Sequence, residues 1–102
     1  MPDFNSLKRA LVTRVLEGAG EASLTMRRSA FDNAGLDEPM RTLVDKVARH
    51  AYLVTDEDFA DVRAAGLSED QIYEIVVCAA IGQASRQYDG AIEALEAARG
   101  RT

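Results

Sequence analysis

Residues 68–88, SEDQIYEIVVCAAIGQASRQY, are the stretch that most restricts what this chain can fold into. Ser68 is placed to cap the first free amides of a helix. Gln71, three residues on, is placed to reach back to the amide of Ser68, which makes a capping box. Leu67 and Ile72 flank the cap at the spacing of a hydrophobic staple. Between Ile72 and Gly82 the one charged residue is Glu74. A surface helix carries a single apolar stripe, whereas this run is apolar nearly all round, so it predicts a buried central helix. Its polar ends and its length fall short of a bilayer span. Gly82 lies inside it, among Ala79, Ala80 and Ala84, where glycine costs ~1 kcal/mol relative to alanine. That cluster of small residues predicts a second helix crossing closely.

The remaining segments read as helices packed around this one. Leu7, Leu11, Val12, Val15 and Leu16 recur at helical spacing, with Asn5 or Ser6 as cap and Gly18 or Gly20 as stop. Residues 23–34 form a second helix, with Met26, Ala30, Phe31 and Ala34 on one face, Gly35 as its left-handed stop, and Arg27 and Arg28 in solvent. Asp37, Glu38 and Pro39 open a third helix, whose stripe is Met40, Leu43, Val44, Val47, Ala51 and Val54. Thr55 and Asp58 cap a short fourth helix that Gly66 ends, with Leu67 folding back on Val62. The central helix then occupies 68–88, Gly90 marks a break or kink, and residues 91–98 are alanine-rich and helix-prone. Strand alternation, internal repeats and low-complexity linkers are missing. The fold class is therefore all-α: a single domain of about five to six helices, with residues 1–4 and 99–102 as frayed ends.

Composition narrows the function classes. The 102 residues carry a net charge of −5, with +1 in residues 1–50 and −6 in residues 51–102. An acidic chain without a basic stripe is a poor nucleic-acid binder, because that affinity comes mainly from phosphate neutralisation. One cysteine excludes an internal disulfide and fits a reducing compartment. Without a secretory or membrane-spanning pattern, the expected location is the cytoplasm. A domain this small with 47% apolar residues and a crowded central helix is expected to cover part of that helix with a second copy.

Residues 47–90, above all TDEDFADVRAAGLSEDQIYEIVVCAAIGQASRQYDG, resemble the C-terminal half of the alkylhydroperoxidase D-like proteins, within the carboxymuconolactone decarboxylase superfamily. The features that carry the likeness are the Thr-Asp-Glu-Asp cap at 55–58, the Ala-Gly-Leu-Ser closure at 65–68, and the apolar helix from Ile72 to a downstream Arg86. The resemblance covers somewhat under half the chain. It implies an all-helical fold that assembles into dimers, trimers or higher rings, with the apolar helix near the subunit contacts. In redox-active members a Cys-x-x-Cys pair and a nearby histidine sit upstream of this segment. Here the corresponding region, residues 23–36, holds no thiol, and no Cys-x-x-Cys occurs in the chain. The peroxidase residues therefore do not carry over.

Four residues, Cys78, His50, Glu74 and Arg86, are candidates for catalysis. Cys78, the only thiol, is either a peroxide-reactive cysteine or a small buried hydrophobe, and its flanks Val76, Val77, Ala79 and Ala80 favour the second. His50, the only histidine, borders the third helix's stripe as a general base, a pH switch or a partly buried structural residue. With no acidic or cysteine cluster at ligand spacing it makes no metal site, and no cofactor is expected. Glu74 is a catalytic acid, a helix-edge carboxylate, or half of a structural pair with Arg86 or a neighbour's arginine. Glu74 and Arg86 lie over three turns apart on one straight helix, so they cannot meet directly. Tyr73, Val77, Ala80, Ala84 and Tyr88 form a ridge at helical spacing, which is read as core or subunit packing.

Overall fold

Most of the helices begin where the sequence supplies acceptors for their free amides. The computed structural model describes residues 4–100, which form α1 (Phe4–Glu17), α2 (Leu24–Asp32), α3 (Met40–Arg49), a 3-10 turn (Ala51–Leu53), α4 (Asp56–Ala64) and α5 (Glu69–Gly100). The Ser23 hydroxyl accepts from the Met26 amide at 3.1 Å and starts α2. Thr55 and Asp58 form a complete capping box at α4, 3.3 Å one way and 2.9 Å the other. Ser68 and Gln71 do the same at α5, at 3.1 and 2.9 Å. At α3 the Glu38 carboxylate takes the amide of Thr42 at 2.9 Å and its hydroxyl at 2.7 Å. Each contact satisfies a donor that a helix start otherwise leaves open.

The stops are equally local. After α4, Gly66 adopts φ 107°, its amide donates to Arg63 and the Leu67 amide donates to Val62, which is a Schellman closure. Leu67 then packs against both groups of core side chains, as its place between two junctions suggested. At α2 the stop differs from expectation. Asn33 is the left-handed cap at φ 51°, and its amide and that of Ala34 donate to Ala30 and Ser29; Gly35 is left-handed too, at φ 81°, but lies beyond the helix end. Asparagine tolerates this conformation better than other side chains, so the helix ends two residues early.

α5 is the axis of the bundle. It buries Ile72, Ile75, Cys78, Ala79 and Gly82 on one face, and α2 and α3 make the most extensive contacts with it. The larger core joins Leu16, Ala22, Ala30, Phe31, Val44, Ile75, Cys78 and Ala79; the smaller joins Leu43, Val62 and Ile72. Asp58 ties α4 to α3 through Lys46, whose Nζ donates to both carboxylate oxygens at 2.9 Å. The Lys46 ammonium, followed by the Thr55 amide, holds the Asp58 carboxyl below its ordinary range.

Four further expectations change. α3 ends at Arg49, so Ala51 lies in the 3-10 turn and Val54 follows it rather than continuing the α3 stripe. α5 runs 32 residues without a break at Gly90 and continues past Tyr88 to Gly100. Glycine permits a helix break but does not impose one, and the alanine-rich segment beyond favours continuation. Phe4, Arg99 and Gly100 are helical rather than frayed, while residues 1–3 and 101–102 lie outside the described part. Leu7 and Leu11 remain exposed, at 57% and 47%. α1 meets α5 along Val12, Val15 and Leu16 instead, while Leu7 and Leu11 border an open groove between the two helices.

The close helix crossing at Gly82 is with α2. A methyl on Gly82 would overlap the carbonyl of Phe31 and come within 2.9 Å of its Cα. Gly90 has open space around it. Gly82→Ala is therefore expected to lower stability by ~1–3 kcal/mol through overpacking. Gly90→Ala is expected to raise it by up to ~1 kcal/mol through helix propensity. Chemical denaturation of both variants checks the pair. Because the Gly82 contact lies within one chain, its loss should not depend on protein concentration, and a stabilised Gly82→Ala would contradict this packing.

Candidate functional site

The segment joining α1 to α2 is short and built from small residues, Gly18, Ala19 and Gly20. It curls over the N-terminal half of α5 and is gripped from two sides. From α5, the Glu74 carboxylate accepts the amides of Glu21 at 2.8 Å and Ala22 at 2.5 Å. From α2, the Arg27 guanidinium donates to the carbonyls of Ala22 at 3.0 Å and Gly18 at 2.5 Å. A Cβ on Gly20 would press on the Glu74 carboxyl, whose Cδ lies 2.9 Å from that position, so a side chain here would have to displace the clamp. Arg27, expected in solvent, is thus 7% exposed, because it reaches back under the connection instead of outward.

Beside this clamp, α1 and α5 enclose a cavity of about 530 Å³. Arg14, Arg27, Tyr73, Glu74 and Cys78 contribute its chemically active side chains, with Leu11, Val15 and Val77 as apolar wall. Among the described residues neither Arg14 nor Arg27 forms an ion pair with a carboxylate. A second, almost wholly apolar groove of about 370 Å³ follows along α1 and α5 and shares Leu11 with the first.

The cavity brings together two of the four residues singled out from sequence. Cys78 is 1% exposed and its Sγ donates to the carbonyl of Val15 at 3.3 Å. Burial pushes its thiol pKa up; the Arg27 charge pulls the other way, and the Glu74 charge adds to the rise. Glu74 is half-buried, with both oxygens engaged by backbone amides. The other two residues lie elsewhere. His50 ends α3, is exposed rather than partly buried, and sets its ring edge-on to Tyr52 with centroids 5.9 Å apart. Arg86 donates to the Phe31 carbonyl at 2.6 Å and to Gln83 at 3.0 Å, so it caps the C-terminal end of α2. Glu74 and Arg86 each have a separate partner and do not pair with each other.

Sequence reasoning missed Arg27 altogether. Its neighbour Arg28 is exposed and paired with Asp32, and nothing in the local pattern separates the two. The nearest signal is the run of small residues at 18–20, which marks a place where a backbone is approached closely. Among the described residues no group of three His, Cys, Asp or Glu side chains is arranged to hold a metal ion. No described helix is long and apolar enough to cross a membrane. Comparison with protein-family models, curated proteins and solved structures finds no match to this chain.

The raised thiol pKa and the low exposure of Cys78 set its reactivity. At pH 7 the native protein should react with iodoacetamide more slowly than the denatured chain, since its thiol is both shielded and less ionised. The mass shift of the intact protein over time measures this. Equal rates in the two states would show an open, reactive thiol.

Proposed function

We propose that this protein is an oligomeric helical binding or accessory module of the alkylhydroperoxidase D-like type, without thiol-peroxidase activity. The observation that carries the reading is the state of Cys78. It is buried, it has no second thiol, and its pKa is shifted away from the thiolate. A peroxide-cleaving cysteine needs the opposite, an accessible thiolate with a resolving partner. The neighbouring carboxylate is no freer, since Glu74 holds the α1–α2 connection. His50, the only histidine, does not line the cavity.

Self-association through α5 is the second half of the proposal. Tyr73 is 70% exposed, and Ala80, Ala84 and half-buried Tyr88 continue the same ridge. A contiguous apolar strip of this kind is a usual mark of an interaction surface.

One observation favours a second reading, an enzyme with decarboxylase-like or atypical chemistry. Glu74, Cys78 and Arg27 do line a single cavity, and clustered titratable groups are where such chemistry resides.

Steady-state turnover of an organic hydroperoxide with a dithiol reductant decides on the peroxidase. The expected result is background turnover; activity well above background that Cys78→Ser abolishes would overturn the reading. Light scattering decides on assembly. At micromolar concentration the expected mass is a multiple of 11.1 kDa, and a compact 11.1 kDa monomer would contradict the α5 contact.

A further inference from the structure

Arg27 is a buried cation whose hydrogen-bond acceptors are neutral. Its guanidinium meets the carbonyls of Gly18 and Ala22, and among the described residues no carboxylate lies within ion-pair distance of it. A charge taken out of water in this way is costly unless an opposite charge compensates it. Arg14, likewise without an ion pair among the described residues, stands on the same cavity wall. Glu74 supplies one negative charge against these two positive ones. Its oxygens are already accepting the amides of Glu21 and Ala22, so it is a poor acceptor for anything further. The cavity lining thus holds two positive side chains and one engaged carboxylate, which suits an anionic head, while Glu21 and Asp70 belong to the neighbouring cleft across Tyr73 and Glu74.

The apolar surroundings specify the rest of the ligand. The second groove shares Leu11 with the charged cavity and is lined by Val12, Ile81 and Ala84, and by Lys8, whose ammonium is paired with Asp89. Between Val77 and Ala84, α5 rises ~10 Å, the extended length of roughly eight carbons. A guanidinium at one end and an apolar channel leading away fit a head-and-tail molecule, and arginine binds carboxylate with matched geometry.

We propose that the face between α1 and α5 binds a medium-chain fatty carboxylate. Its head lies between Arg14 and Arg27, and its chain runs past Leu11 towards Ala84. The proposal rests on reading the chain as a binding module and names the ligand class of that module.

The test uses the full chain and octanoate, followed by calorimetry and by amide chemical shifts. Octan-1-ol serves as the uncharged control, and vesicles of anionic phospholipid test whether a lipid surface is preferred. Protein concentration is fixed and mass is followed by light scattering, so any change in assembly is read separately. Octanoate should bind, with shifts at Gly18, Ala19 and Val77. It should bind about tenfold tighter than octan-1-ol, the effect of one charge-assisted contact. Arg14 is exposed, so Arg14→Glu should leave the thermal midpoint unchanged and remove the preference for octanoate. Ser85→Glu, in the tail groove but off the Tyr73–Tyr88 ridge, should weaken octanoate and leave both the fold and the mass by light scattering unchanged. No binding, equal binding of acid and alcohol, shifts confined to another face, an unaltered preference in Arg14→Glu, or a preference for vesicles would each overturn the proposal. Failure here together with background peroxide turnover would remove the ligand class alone and leave the module reading standing.

Discussion

The bundle depends on the approach of α2 to α5 at one backbone contact. Gly82 lets the Phe31 carbonyl lie against α5, closer than any side chain would permit. That carbonyl belongs to the last turn of α2, where acceptors have no partner within the helix. Arg86, one turn beyond Gly82, supplies the donor. A missing side chain and a long one, four residues apart, thus solve two parts of one problem: distance and hydrogen bonding. The helix-propensity penalty of Gly82 is offset by burial of Ala30, Phe31, Ile75 and Ala79 around the crossing.

A similar double use governs the charged residues near the cavity. Glu74 and Arg27 are the kind of groups that catalysis uses, yet both hold the connection between α1 and α2. Glu74 takes its amides and Arg27 takes its carbonyls, so Ala22 is bound through both ends of its backbone. This arrangement buries Ala22 to 2% exposure and keeps a tight, glycine-containing turn against α5. The consequence is an arginine with neutral acceptors beside an apolar channel. An imbalance of that kind is a physical reason to look for a bound anion, and it is independent of any chemistry at Cys78.

α5 beyond Asp89 is a different matter. From there to Gly100 only Ile92 is partly covered, and the molecule's long dimension of 55 Å reflects this extension. An alanine-rich helix can continue without tertiary contacts once the buried part has nucleated it, because propagation is far easier than nucleation.

Much of the architecture was legible in the sequence because caps and stops are local. Ser68 with Gln71, Thr55 with Asp58, and Gly66 with Leu67 act within a few residues of each other, and the structure forms all three. The close crossing at Gly82 was legible too, since a glycine inside an apolar helix lowers its propensity unless a second backbone packs against it. The identity of the crossing helix was not, nor was the end of α5, because a glycine allows continuation as readily as a stop when nothing packs nearby. The site was the least legible part. Cys78 read as a buried hydrophobe on its neighbours alone, but Arg27 and Arg28 are the same residue type in adjacent positions. Which of them turns inward depends on a connection that folds over α5 from outside the helix. That choice, and the pairing of Glu74 with amides more than fifty residues away in the chain, belongs to tertiary structure. Sequence sets what each short segment can do; only the packed chain decides which charges face each other and which are left without a counter-charge.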